Sequence, residues 1–515
     1  MAKPRVIDKD LFQNCSKIEA NKPGAYIVEE AELNYGGIKQ GISIYLREIH
    51  IHEDLNLPGI TGWIEMQDTD NLISGYISGD VPAGSKYKTI VGQELLSLKF
   101  RNLGSNYPVD FTKHPLQIHK IENLQEKESA TDAKSVLTYT YRLHFCSPEL
   151  FTNDRVRVSQ AYEDTYSNIV KDILINHLKT RKKFIIQPTN GVHKIVIPNM
   201  HPLDAISMIM KECKTVDNMP NYNFYETTNG YRFRSLTGNP SDKTSDYQLP
   251  ITFGPTIQDS GNYQKDMRTA IAYSFIKLGD TLTNIKTGMF GSATLKYDAF
   301  NKVIFRDEVG YHDSLPVNKK DSTYKHFLTE GIVYDATSDA NIGTVSEFPD
   351  GRLFVTSTNT RKRHDEVDAD GKITTGSIVV ANSEQKMLRL MQKNHDEYMK
   401  MGLTLNGMSG LQVGDKLKLD TMTIGAAFTK GEGKKDAKFS DYYYITQLKH
   451  KIDLRSDVAK YTCDIICAQE SLLTSKLPAN GDLKGTEKLT DTVWSATATI
   501  TSEEKDESTH PDITT

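Results

Sequence analysis

The sequence predicts a mainly β protein with an α+β insertion, and three observations carry that expectation. Strand-period alternation fills both ends of the chain, and helix-period stripes are concentrated in its middle. In addition, one strand–turn–strand phrase is written twice: "LQVGDKLKLD" at Leu411 to Asp420 echoes "VGQELLSL" at Val91 to Leu98.

Taken in order, residues 1–25 form an N-terminal arm and 26–150 a first β-domain. Strand patterns there are "GISIYLREIHIHED", "TGWIEMQD", "QELLSLKF", "PLQIHKIEN" and "VLTYTYRLHF". In the last, Leu137, Tyr139, Tyr141, Leu143 and Phe145 share one face, leaving Thr138, Thr140, Arg142 and His144 on the other. In the first, Ile42, Ile44 and Leu46 are in one phase and Ile49 and Ile51 in the opposite one. That slip predicts a β-bulge near Arg47 and Glu48.

Residues 151–255 read as α+β. "AYEDTYSNIVKDILINHLKT" carries the stripe Tyr162, Tyr166, Ile169, Val170, Ile173, Leu174 and Leu178. A helix over 165–180 is expected to pack outside the β-domains through Tyr162, Ile169 and Ile173. A second helix starts at Pro202, a residue suited to a first turn, and Asn229-Gly230 marks a tight hairpin. Residues 256–375 extend this middle region with strand-like pieces and a charged, mobile loop at 361–375. A helix in "SEQKMLRLMQKNHDEYMKMG" then opens the second β-domain, 376–475. Residues 476–515 are expected to be an extended or disordered tail, with Trp494 as a possible anchor.

The echo extends beyond one phrase. "VGQELLSL", "HPLQIHKIEN" and "YTYRLHFCSPELFT" recur, in the same order, as "VGDKLKLD", "YYYITQLKHKI" and "KYTCDIICAQESLLT", with a one-residue offset in the first pair. Two copies of one antiparallel β-domain flanking an insertion is the expected organisation.

The bulk numbers narrow the function. The chain has 515 residues, 25% of them charged, a net charge of −5 and a pI near 6.3. That balance disfavours a general nucleic-acid binder. No apolar run reaches the roughly 18 residues of a membrane span, and the N-terminus has no apolar core of a signal peptide. Five cysteines without a CxxC pair suggest reduced, buried thiols.

No motif demands catalysis. His50 and His52 share a strand face but lack further ligands, so an ordinary strand face is expected rather than a metal pair. Asp68 to Asn71 has no glycine where a calcium loop needs one and reads as a turn. Neither "GGIKQG" nor "DGKITTG" has phosphate-loop spacing, and acidic neighbours follow the basic run at Arg361 to Arg363. Hence no enzyme, no cofactor and no metal is expected.

The quoted phrases, with "IHIHEDLNLPGITGWIEMQDTDNLISG", "RVSQAYEDTYSNIVKDIL", "NFYETTNGYRFRSL" and "DTLTNIKTGMFGSATLKYD", resemble the baseplate hub proteins of contractile-tailed bacteriophages. That family is related to the base of VgrG spikes. The resemblance spans roughly residues 25–475. It implies two tail-tube-like antiparallel β-barrel domains per chain and a homotrimer forming a pseudo-sixfold ring. It also implies a virion protein, assembled in the host cytoplasm, that joins the sixfold tail tube to the threefold central spike. Partners would be tube or tube-initiator proteins, the spike, and wedge and tape-measure proteins. DNA would pass through without specific binding, and no stable membrane association is expected. The rows Thr138, Thr140, Arg142, His144 and Lys416, Lys418 are candidates for the channel or for inter-domain seams. Two alternatives remain open: a cell-wall hydrolase mounted on a hub, and the hub of a type VI-like secretion or bacteriocin particle.

Overall fold

A computed structural model describes residues 23–469 except 71, 74–88, 104–106, 132–133, 216–219, 237–248, 253–265, 299–301, 311–331, 335–340, 345–348, 358–365, 368–372, 375–382, 422–438, 440 and 456–459. The C-terminal tail with Trp494, nearly all of the N-terminal arm and most of the 361–375 loop therefore lie outside the described residues.

The first β-region holds β1 (Tyr26–Tyr35), β2 (Ile38–Gly41), β3 (Leu46–Asp54), β4 (Thr61–Asp68), β5 (Leu95–Asn102), β6 (Val109–Asp110), β7 (Leu116–Thr131) and β8 (Lys134–Cys146). The middle region follows with α1 (Pro148–Arg155), β9 (Val158–Asp164), α2 (Tyr166–Asp172), β10 (Phe184–Ile186), β11 (His193–Met200), α3 (Pro202–Met210), β12 (Tyr222–Thr227) and β13 (Gly230–Ser235). Next come β14 (Leu249–Thr252), β15 (Ala270–Lys277) and α4 (Thr281–Lys286), then the strands β16 (Gly291–Asp298), β17 (Val303–Gly310), β18 (Ile332–Tyr334), β19 (Asn341–Thr344), β20 (Leu353–Ser357), β21 (Glu366–Val367) and β22 (Ile373–Thr374). The last described elements are α5 (Ser383–Asp396), β23 (Met399–Asn406), β24 (Lys416–Asp420), β25 (Asp441–Asp453) and β26 (Lys460–Gln469).

Two closed barrels were the expectation, and the described strands correct it. Both β-regions belong to one open 14-stranded sheet, ordered β15-β23-β26-β25-β3-β4-β8-β7-β5-β1-β2, with β24 joining β25 to β14 and β6 joining β5. The sheet does not close because β25 of the later region pairs with β3 of the earlier one, so the two regions are joined edge to edge.

Within that sheet a five-strand unit occurs twice. The order β3-β4-β8-β7-β5 in the first copy matches β15-β23-β26-β25-β24 in the second, and every neighbouring pair in both is antiparallel. The match extends to the irregularities. Register slips between Leu46 and Glu48 of β3, where the phase change predicted a bulge, and between Ala270 and Ala272 of β15. It slips again between Ile118 and Lys120 of β7 and between Ile445 and Gln447 of β25. Bulges bend strands at chosen points, so a shared pair of bulges means a shared curvature. The echoed Val-Gly phrases form the same turn: Gly92 and Gly414 sit at φ +83° and +84°. Ile118 N donates to Glu94 O and Ile445 N to Asp415 O, each at 2.9 Å. Gln93 is the additional residue in the first copy, which accounts for the offset in the alternation.

The repeats share one apolar core. Ile49, Ile51, Ile64, Leu143 and Phe145 of the first lie in the same cluster as Leu403, Ile445, Ile452, Ile465 and Cys467 of the second. The four described cysteines are free and buried. A second core belongs to the middle region, formed by Ile169, Val170, Ile173 and Leu174 with Leu203, Ile206 and Ile209 of α3.

Tyr162 is not part of the helix stripe. It lies in β9, paired with Ile195 of β11. The helix starts only after Thr165, whose hydroxyl accepts from Asn168 N and caps it. α2 then continues as one π-helical turn, Ile173–His177. Similarly, the helix expected over 383–402 ends at Asp396, and the alternating Met399–Asn406 is β23, with Met399, Met401, Leu403 and Leu405 buried.

Candidate functional site: the polar face and the seam between repeats

At the seam, β25 runs antiparallel to β3 with Gln447 opposite Asp54, Lys449 opposite His52, Lys451 opposite His50 and Asp453 opposite Glu48. The ladder continues beyond both strand ends, Leu55 N donating to Thr446 O and Leu454 N to Arg47 O at 2.9 Å. Alternation then gives the seam two characters. Ile49 opposite Ile452 enters the core, while the intervening residues form the opposite face.

That opposite face is polar across both repeats. Cross-strand pairing carries it from Glu122 through Arg142, Glu65 and Glu48 to Asp453, and from His144 through Trp63, His50 and Lys451 to Thr462. The His50 ring stacks on Trp63 with centroids 3.8 Å apart, and the Arg142 guanidinium lies 4.3 Å from the Trp63 ring. Arg142 Nε donates to Glu65 Oε2 at 2.9 Å, Arg455 pairs with Glu48, and His144 Nε2 lies 2.8 Å from Glu122 Oε2. A shallow concavity of about 760 Å³ opens on this face, lined by His52, Trp63, His144, Ser274, Thr404 and Asp464 among others.

The expected candidates fall as follows. Thr140, Arg142 and His144 lie on the polar face, opposite Gln67, Glu65 and Trp63. Thr138 is in phase with them but buried. Lys416 and Lys418 oppose Tyr444 and Tyr442, out of phase with the buried Leu417 and Leu419; Lys416 is exposed and Lys418 half-buried. Ile169 and Ile173 are buried in the core of the middle region.

Burial, reinforced by the charges of Lys449 and Lys451, pushes His50 down to about 3; burial and Lys449 push His52 down to about 4. Among the described residues no three His, Cys, Asp or Glu side chains gather as a metal set. The Asp68 carboxylate accepts from the backbone N–H of Asp70 and Leu72, so this segment is a turn.

Sequence reasoning missed the polar joints that fix the middle region against the seam. Glu53, fully buried, accepts from Thr228 N at 2.8 Å and from Val413 N at 3.1 Å, linking β3, the β12–β13 turn and the loop before β24. Burial raises its carboxyl to about 7. Buried Lys182 donates to Glu149 and Glu226, both at 2.6 Å, and Glu226 also accepts from Ile60 N at 3.2 Å. Arg234 donates to Gly414 O at 2.9 Å. The signal for Glu53 was readable: it is in phase with Ile49 and Ile51, on the core side of its strand.

No family model and no curated protein matches this chain. Solved structures similar to it include the 43 kDa tail protein of prophage MuSo2 from Shewanella oneidensis, at 10% identity. The alignment covers 85% of this chain and 98% of that one, with TM-score 0.44. A tail protein from Neisseria meningitidis aligns at 9% identity over 86% and 97%, with TM-score 0.43. An Escherichia coli component of the type VI secretion system aligns at 9% over 87% and 77%, with TM-score 0.36. Their descriptions are of two tail proteins and a type VI secretion component.

Proposed function

We propose that this chain is the structural hub of a contractile phage-tail baseplate, a homotrimer that adapts a sixfold tail tube to a threefold central spike. The observation that carries the reading is the duplicated five-strand unit with its shared bulges, joined edge to edge in one sheet. Three chains with two such units each present six similar surfaces, while the rest of the chain keeps threefold symmetry. The polar face bearing Trp63, Arg142, His144, Lys449 and Asp464 is proposed to line the passage for DNA. There, mixed charge and a net-acidic chain would avoid holding a polyanion.

The role is proposed to be mechanical rather than catalytic. Peptidoglycan zymography, with and without chelator, is expected to show no clearing. The deciding experiment is mass measurement of the purified full chain, combined with class averages down the particle axis. Three chains with six similar lobes are expected; a monomer at micromolar concentration that stays monomeric beside a spike protein overturns the reading.

A further inference from the structure

The joint between the middle region and the first repeat holds one amine between two acids. Lys182 Nζ lies 2.6 Å from Glu149 Oε2 and 2.6 Å from Glu226 Oε1, and all three residues are buried. The two carboxylates are held differently. Glu149 Oε1 accepts from the Thr180 hydroxyl at 2.8 Å, a donor that can turn on its side chain. Glu226 Oε2 accepts at 3.2 Å from Ile60 N, a backbone donor that also reaches Ser147 Oγ. The buried Tyr231 ring, its centroid 5.8 Å from Nζ, covers one side. One ammonium needs one carboxylate to balance it; the second is an acid–base group placed on the same nitrogen.

We propose that Lys182 and Glu226 condense into a side-chain amide, a cross-link that the folded chain forms by itself with Glu149 as proton carrier. No outside reagent is needed, because an ammonium and a carboxylate together contain the atoms of an amide and one water. Nζ first gives one proton to Glu226 Oε1, leaving a neutral amine beside a neutral acid. The amine then attacks Glu226 Cδ, and the new C–N bond puts negative charge on Oε2, where the Ile60 N–H receives it. Glu149 takes a second proton from the nitrogen and passes it to Oε1. The C–Oε1 bond breaks with its electron pair on that oxygen, which leaves as water, and Glu149 is a carboxylate again.

Burial holds the Glu226 carboxyl above its ordinary range, in the direction that protonates it. Burial also pulls Lys182 down, but the two carboxylates outweigh it and keep the resting amine charged. The first proton transfer is therefore the uphill step. A site without water brings the neutral pair closer to the ionic one, and the fold holds the partners in contact for as long as it lasts. The link would join β12 to the segment after α2, between residues 44 positions apart. In a chain whose described cysteines are free, it restricts the unfolded state as a disulfide does elsewhere.

The test is the intact mass of the full chain, incubated folded, then reduced and denatured, followed by tryptic mapping. A chain lighter than its sequence by one water is expected, with a branched peptide in which Lys182 resists trypsin and carries the segment containing Glu226. Glu149→Gln keeps the reacting pair and removes the carrier, so linking should slow by roughly a hundredfold. Lys182→Arg keeps the positive charge and should show the full mass of its own sequence. A folded natural chain at full mass, a branch through Glu149 instead, or the same water lost from Lys182→Arg overturns the cross-link; unchanged linking in Glu149→Gln overturns the carrier. None of these readouts depends on assembly, so the hub reading stands or falls separately.

Discussion

In the first repeat β3 is sealed against β25, and its bulge at Arg47 lies inside a continuous ladder. In the second, β15 carries the same bulge at Ile271 and stands at the end of the sheet among the described strands. The sequences diverge accordingly. Phe145 answers to Cys467, Gly62 to Met401 and Trp63 to Gly402, yet the register is conserved through all of them. Strand order and bulges are set by backbone pairing, which tolerates exchange of side chains that keep their phase. Edges are where the copies specialise.

The largest difference to exploit is in packing. Tyr461 is fully buried, edge-on to Phe100 with centroids 5.6 Å apart, and its hydroxyl lies 2.7 Å from His450 Nδ1. Its counterpart Tyr139 is half-buried. Tyr461→Ala is expected to cost about 4–5 kcal/mol in urea unfolding and Tyr139→Ala about 1–2; equal costs would mean that the copies carry the core alike. Next is the polar joint by which Lys182, Glu149 and Glu226 of the middle region hold Ile60 of the first repeat. Lys182→Met strands Glu149 and Glu226 without their cation, and a loss of about 3–4 kcal/mol is expected in the same measurement.

Glu53 gives a comparison in pH. Its folded-state value of about 7 exceeds the ordinary 4.5, so the native chain holds the proton more tightly than the unfolded one. Stability should therefore fall by about 3 kcal/mol as pH rises from below 4.5 to above 7. Glu53→Gln should flatten that part of the profile. The smallest contrast is between the paired turns. Gly92→Ala should cost about 1 kcal/mol for its left-handed backbone, its Cβ meeting only Ile121 at 3.4 Å. Gly414→Ala should cost about 2–3 kcal/mol, because its Cβ also meets the Tyr225 hydroxyl and Arg234.

Much of the β organisation was legible because phase is local. The slip between Leu46 and Ile49 revealed one bulge. The same slip separates Ile445 from Leu448, and it passes unnoticed in the run of tyrosines before it. The helix start was misplaced because Tyr162 fits a helical spacing to Tyr166 and Ile169 while also fitting the alternation of β9. Thr165, as a cap, decides between them. The seam itself was not legible: pairing His50 with Lys451 spans about four hundred positions, and no local pattern records it. The candidate face was half found, because Thr140, Arg142 and His144 alternate cleanly. Trp63 and Glu65 join it only through the β4–β8 register.

In the first repeat, residues 55–60 suffice to turn β3 into β4; at the corresponding join of the second, residues 278–398 intervene, among them the three-stranded β17-β16-β20 sheet. Both excursions leave and re-enter at adjacent strands, so the ladder is indifferent to what is spliced between them. That join is a grafting port. An insertion there can change in length or fold without altering the β15–β23 pairing that frames it.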